Sequence, residues 1–188
     1  MTKKKTDKAY DVGFSYEEKF GGCAQCAIGA LYEIFPELRD ESIFKSATGL
    51  GGGVGLSTLG GCGALVGAVM VVSQLYGREL ENIADPERKR FMAYRLGEKL
   101  VQRFVDEYGT VTCREIQEKL MGRSFYMYDE WDEFLAAGGH STACTAVVGN
   151  ATKWATELII EIDEKGIKVL DVFEGRQGLL SGIPYRAL

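Results

Sequence analysis

Five cysteines carry most of the reactive chemistry available to this chain: Cys23, Cys26, Cys62, Cys113 and Cys144. Little competes with them. The single histidine, His140, cannot furnish a multi-His zinc site. Between Gly49 and Gly63 eight of fifteen residues are glycine, which invites a nucleotide-binding reading. That reading fails, because there is no G-x-G-x-x-G register, no following Lys-Ser/Thr pair and no preceding β-branched strand. A G-x-S-x-G nucleophile elbow is also absent. What the glycines lead into is Cys62.

A thiol at a helix N-terminus faces unsatisfied amide groups and the positive end of the helix dipole, which favour thiolate. Cys62 follows Gly60-Gly61 at the head of a helical run. Cys113 follows the candidate N-cap Thr112. Cys144 lies just after Gly138-Gly139, with Ser141 or Thr142 as candidate cap. Lowered pKa values are therefore expected at all three, against the plainer reading of cysteine as a small buried hydrophobe. Cys23-Ala-Gln-Cys26 has C-x-x-C spacing, but in a helical pattern rather than the βαβ setting of a thioredoxin site. Ala27 stands where c-type haem attachment needs histidine, so no c-type haem is expected, and the second pair of a zinc site is missing. His140 lies four residues before Cys144, one helical turn away, and could stabilise a thiolate or serve as a ligand; capping or surface exposure is the plainer role. Gly63 and Gly67, with Ala64 and Ala68, make a small-residue stripe that admits either another helix or a cofactor. Gly61, Gly63 and Gly67 are the candidate cofactor contacts.

The elements that must position these residues read as helices. Ser15-Tyr16-Glu17-Glu18 has capping-box spacing and predicts a helix start, leaving residues 1–14 as a flexible lysine-rich arm. Gly21-Gly22 interrupts the run, and a second helix continues from Cys23 to Phe35-Pro36. A short amphipathic turn follows from Glu41 to Ala47. Cys62 to Gly77 reads as a buried helix. Asp85-Pro86 predicts a helix start, with Phe91, Tyr94, Leu100, Val101, Phe104, Val105 and Tyr108 keeping its period to Gly109. A capping box at Thr112–Glu115 opens a helix to about Leu120. Phe125 to Phe134 is an aromatic-acidic turn and short helix. His140 to about Asp163 is a last long helix, followed by an extended tail. The expected fold is mainly α: a single-domain helical bundle over 15–164, with a glycine-rich turn before a buried helix and a C-terminal extension over 165–188.

Charge and composition bound the function. A net charge of −5 argues against nucleic acid as the main partner. The 46% hydrophobic content is that of a globular chain rather than a disordered one. The longest apolar stretch, Cys62 to Val72, falls short of the roughly 18–20 residues of a membrane span. With no apolar stretch behind the lysines of Met1–Tyr10, a cytoplasmic location is expected, where structural disulfides are disfavoured.

Gly22-Cys23-Ala24-Gln25, then Cys62-Gly63-Ala64-Leu65-Val66-Gly67, then Cys113 and Cys144 resemble the C_GCAxxG_C_C family of redox-type proteins, over about Ser15 to Leu158. The C-G-A-x-x-G motif is complete. By this resemblance the family's four cysteines are Cys23, Cys62, Cys113 and Cys144, and Cys26 is an addition. A related domain accompanies haem in split-Soret cytochromes; with no C-x-x-C-H here, the haem part does not transfer. Three readings follow. The four cysteines work in electron transfer or thiol/disulfide chemistry without a metal; or they bind an iron–sulfur cluster, zinc being the lesser choice; or the chain is a non-catalytic module with buried cysteines and Phe125–Trp131 as a contact surface. The expected partner is a redox protein or a small thiol or electron donor, and a homodimer is compatible with the sequence.

Overall fold

The structure is a computed structural model and describes residues 2–167. Among these residues there are eight α-helices: α1 (Thr2–Phe20), α2 (Cys23–Ile34), α3 (Glu41–Ser46), α4 (Gly63–Tyr76), α5 (Arg90–Tyr108), α6 (Cys113–Met121), α7 (Trp131–Ala136) and α8 (Cys144–Lys165). The mainly α, single-domain expectation holds. Helices α1, α2, α4 and α8 pack on one another, with α5 against α4 and α8. Their shared core holds Ile28, Leu31, Val71, Leu96, Leu100, Phe104 and Leu158, all buried. No helix among the described residues is long and apolar enough to cross a membrane.

Two helix starts and one helix cap differ from the sequence reading. Residues 2–14 are not a loose arm; they form the first two-thirds of α1. Thr6, Ala9, Gly13 and Glu17 recur at three- and four-residue spacing and are buried. The small Thr6, Ala9 and Gly13 let α1 lie close along α8: a Cβ on Gly13 would sit 2.5 Å from Thr152 Oγ1 and 2.9 Å from the Val148 carbonyl oxygen. Helix α5 begins at Arg90, not at Pro86, because Asp85 accepts from the Lys89 and Arg90 amides (2.7 and 3.2 Å) and from the Arg90 guanidinium (2.9 Å). Its buried face is Met92, Leu96, Leu100, Phe104 and Tyr108, while Tyr94 is exposed. At Thr112 the capping box does not form. Thr110 Oγ1 instead pairs with Glu115 and accepts from the Thr112 amide at 3.1 Å.

The long C-terminal helix is α8, preceded by one π-helical turn at Gly139–Ala143. Gly166 ends it in the left-handed region (φ 59°), where glycine is unstrained. The expected extended tail lies, beyond Ile167, outside the described residues.

Candidate functional site

Local structure draws four of the cysteines toward one place. Cys23 opens α2, just after the left-handed Gly22 (φ 85°). Cys62 is the N-cap of α4, Cys113 the first residue of α6, and Cys144 the first residue of α8. Gly61 and Thr112 form an antiparallel bridge, flanked by Cys62 N–H to the Val111 carbonyl (2.8 Å) and Cys113 N–H to the Gly60 carbonyl (3.0 Å). Cys62 and Cys113 each follow a bridging residue, so the alternation of an extended chain sends both side chains to the same side.

The glycine-rich loop closes over them. Gly52, Gly53, Val54, Gly55 and Leu56 are five consecutive residues in the left-handed region. For Val54 and Leu56 that conformation costs roughly 1–2 kcal/mol each, so the surrounding packing must hold the loop. Gly53 has no alternative: besides its φ of 72°, a Cβ there would meet the Cys113 Cβ at 2.9 Å and the Thr58 backbone at 2.8 Å. The loop aims the Gly52 amide at Cys23 Sγ, 3.5 Å away.

Cys23, Cys62, Cys113 and Cys144 all line a single cavity of about 60 Å³, together with Glu17, Leu56, Ile116, Met127, Trp131, Phe134, His140 and Val147. Cys26 does not line it. Its Sγ donates to the Gly21 carbonyl at 2.9 Å and meets the Glu17 carboxyl, within the core behind α2. Of the candidate cofactor glycines, Gly63 and Gly67 lie where α4 crosses α2. A Cβ on Gly63 would fall 2.4 Å from Cys23 Sγ, and one on Gly67 2.3 Å from the Ala24 carbonyl oxygen. Gly61 sits in the bridge, with its nearest neighbour, Val66 Cγ2, at 3.8 Å. The glycines that line the cavity are Gly22, Gly51 and Gly52.

The lowered thiol pKa values expected from helix starts are corrected by burial. Cys62 is pushed up to about 12, mainly by desolvation and then by neighbouring Cys113, although the Ala64 and Leu65 amides at the head of α4 pull the other way. Desolvation also lifts Cys113 to about 12 and raises Cys23, Cys26 and Cys144. The helix-end effect acts with the expected sign and is outweighed. Removing an ion from water costs several kcal/mol, whereas one helix terminus returns at most about 2.

The sequence reading missed Glu17. It is 2% exposed, its Oε1 lies 3.4 Å from His140 Nε2, and its Oε2 has no hydrogen-bond partner. Burial raises its carboxyl to about 7 and lowers His140, so both lean toward their neutral forms. The His140 ring is held edge-on by Trp131 and Phe134, each 5.3 Å away between centroids. Also missed was Gln117, which is buried, reaches Cys113 Sγ at 3.6 Å and accepts from the Phe125 amide at 3.0 Å. It ties α6 to the aromatic segment that roofs the cavity.

The donor set does not suit a lone ion. Tetrahedral zinc, with Zn–S near 2.3 Å, needs sulfurs about 3.8 Å apart around one point. Among the described residues, no three His, Cys, Asp or Glu groups stand so as to hold one ion. A polynuclear iron–sulfur cluster spreads its cysteine ligands around its own body. Four thiols from four segments lining one largely apolar cavity match such a ligand set in donor type and number.

The class that fold and site define is an all-α domain in which cysteines from four helix starts line one cavity. The family model C_GCAxxG_C_C, described as "putative redox-active protein", matches residues 22–158. The chain belongs to this family. Among curated proteins and among solved structures, nothing matches it.

Proposed function

We propose that this chain is an electron-transfer protein in which Cys23, Cys62, Cys113 and Cys144 hold an iron–sulfur cluster. The observation carrying this reading is that four thiols from four separate segments line one cavity with largely apolar walls. Their raised pKa values support it. Thiols at about 12 are poor free nucleophiles at neutral pH, whereas a bound metal ionises its cysteine ligands outright. When bound, a cluster supplies reversible one-electron oxidation and reduction. The chain's own part is to tune and protect. The Gly52 amide and those heading α4 face sulfurs, and hydrogen bonds to sulfur are a lever on reduction potential. Met127, Trp131, Phe134 and Val147 give the cavity its apolar wall.

The test is anaerobic purification followed by an absorption spectrum and analysis for iron and acid-labile sulfide. Visible charge-transfer absorption with iron and sulfide is expected. It should be lost in Cys62→Ser and retained in Cys26→Ala, since Cys26 lies off the cavity. A second reading, a dithiol–disulfide couple, is favoured by the bridge that turns Cys62 and Cys113 to one side. A colourless protein whose Cys62 and Cys113 cycle between two thiols and one disulfide would replace the cluster with that couple.

A further inference from the structure

The segment between α6 and α8 has two faces. Inward, Met127, Trp131 and Phe134 wall the cysteine cavity. Outward, Tyr126 and Tyr128 are 54% and 65% exposed, and Trp131, although it lines the cavity, is 40% exposed. Trp131 thus has one part against the cysteine cavity and another in solvent. Tyr126 and Tyr128 meet at a tilt, 5.8 Å between ring centroids, and the Tyr128 hydroxyl reaches the Gly55 carbonyl at 3.5 Å, which joins this face to the glycine loop and its half-exposed Val54. Exposed tyrosine and tryptophan grouped over a functional cavity are the composition of a binding hot spot.

Charge indicates what binds there. Residues 123–137 carry one basic group, Arg123, against Asp129, Glu130, Asp132 and Glu133. Arg123 is committed to Glu130 at 2.6 Å. Asp129, Asp132 and Glu133 are exposed and enter no ion pair among the described residues. An aromatic centre with an acidic rim selects a partner with a basic rim, because complementary charge steers encounter and suppresses like-charged competitors.

We propose that the face formed by Tyr126, Tyr128, Trp131, Asp129, Asp132 and Glu133 is the docking surface for a basic electron-carrier protein. The inference rests on the redox reading of the cavity. In the docked pair one electron leaves the reduced site and enters the carrier's oxidised centre; no bond forms and no proton moves.

The experiment mixes the full chain, reduced with dithionite and freed of excess reductant, with a basic ferric c-type cytochrome in a stopped-flow instrument. A small neutral quinone serves as an acceptor that needs no charged docking. The second-order rate with cytochrome is expected to fall steeply from low to high salt. The triple variant Asp129→Asn, Asp132→Asn, Glu133→Gln should lower the low-salt rate by about tenfold or more and flatten its salt dependence. These are exposed substitutions that leave the fold in place, and quinone reduction checks that the site is intact. A salt-independent cytochrome rate, or a triple variant as fast as the unaltered protein, overturns the docking surface while quinone reduction leaves the redox reading standing. If neither acceptor is reduced, the redox reading falls and the docking surface with it.

Discussion

Gly67 of α4 meets Ala24 of α2 so closely that a Cβ on Gly67 would lie 2.3 Å from the Ala24 carbonyl oxygen. The obstacle is backbone and cannot rotate away, so one helix must shift. Gly67→Ala should therefore destabilise by about 1–3 kcal/mol through overpacking, net of up to ~1 kcal/mol regained in helix propensity. Thermal unfolding should show a lower Tm, with the cavity cysteines still together in the folded fraction. An unchanged or raised Tm would contradict the contact.

Thiol labelling tests the dominance of burial over the helix ends. With Cys62 and Cys113 at about 12, only about one thiol in 10⁵ is ionised at pH 7. In metal-free protein, modification of both should be slow at neutral pH, gain about tenfold per pH unit toward alkaline values, and become fast on denaturation. Rapid, pH-insensitive labelling of Cys62 in the folded protein would show that the helix terminus wins after all.

Glu17 should make stability depend on pH. Its carboxyl rises from 4.5 to about 7 in the folded protein. A raised pKa means the folded state holds the proton more tightly. The stabilisation is complete below about 4.5 and is lost as pH climbs through about 7, a swing of about 3 kcal/mol. His140, displaced downward by burial, acts in the opposite sense. The informative quantity is thus the difference between the unaltered protein and Glu17→Gln in denaturant melts. Glu17→Gln should gain on the unaltered protein as pH rises from 5 to 8; parallel curves would remove Glu17 from the account.

The helix breaks were legible because glycine and proline mark them: Gly22 and Gly109 sit at left-handed positions, and Phe35-Pro36 ends α2. The first two-thirds of α1 were not legible. Its buried face, Thr6, Ala9, Gly13 and Glu17, contains no large apolar residue, and the hydrophobic rhythm that reveals a helix is silent there. Glu17 lies within the expected helix start at Ser15–Glu18, but the only local sign of its burial is its four-residue spacing from Gly13. The helix starts under Cys62, Cys113 and Cys144 could be read locally, but their burial is made by segments far away in sequence, so the sign of the pKa shift could not. His140 looked like a capping or surface residue because its partner, Glu17, lies at the other end of the chain.

The aromatic roof should behave as a separate, weaker unit. Phe125, Met127 and Phe134 form a small core distinct from the main one, and Cys144 packs against it. Phe134 is its anchor, 1% exposed and in ring contact with Phe125, Trp131 and His140 at 5.9, 5.5 and 5.3 Å. Gly139 permits this closeness, since a Cβ there would strike the Phe134 ring at 2.3 Å. Phe134→Ala removes a buried ring at a cost of about 3–5 kcal/mol. Because α7 packs on the π-helical turn at 139–143 rather than on the main bundle, much of that cost should appear as local opening. Labelling of Cys144 in the native protein should then accelerate well beyond what the fall in Tm explains. A main-core truncation such as Leu100→Ala provides the contrast, lowering Tm without that excess. If Phe134→Ala lowers Tm by its full cost and leaves native-state labelling in step with global unfolding, the roof is part of the bundle and does not control access to the cysteines.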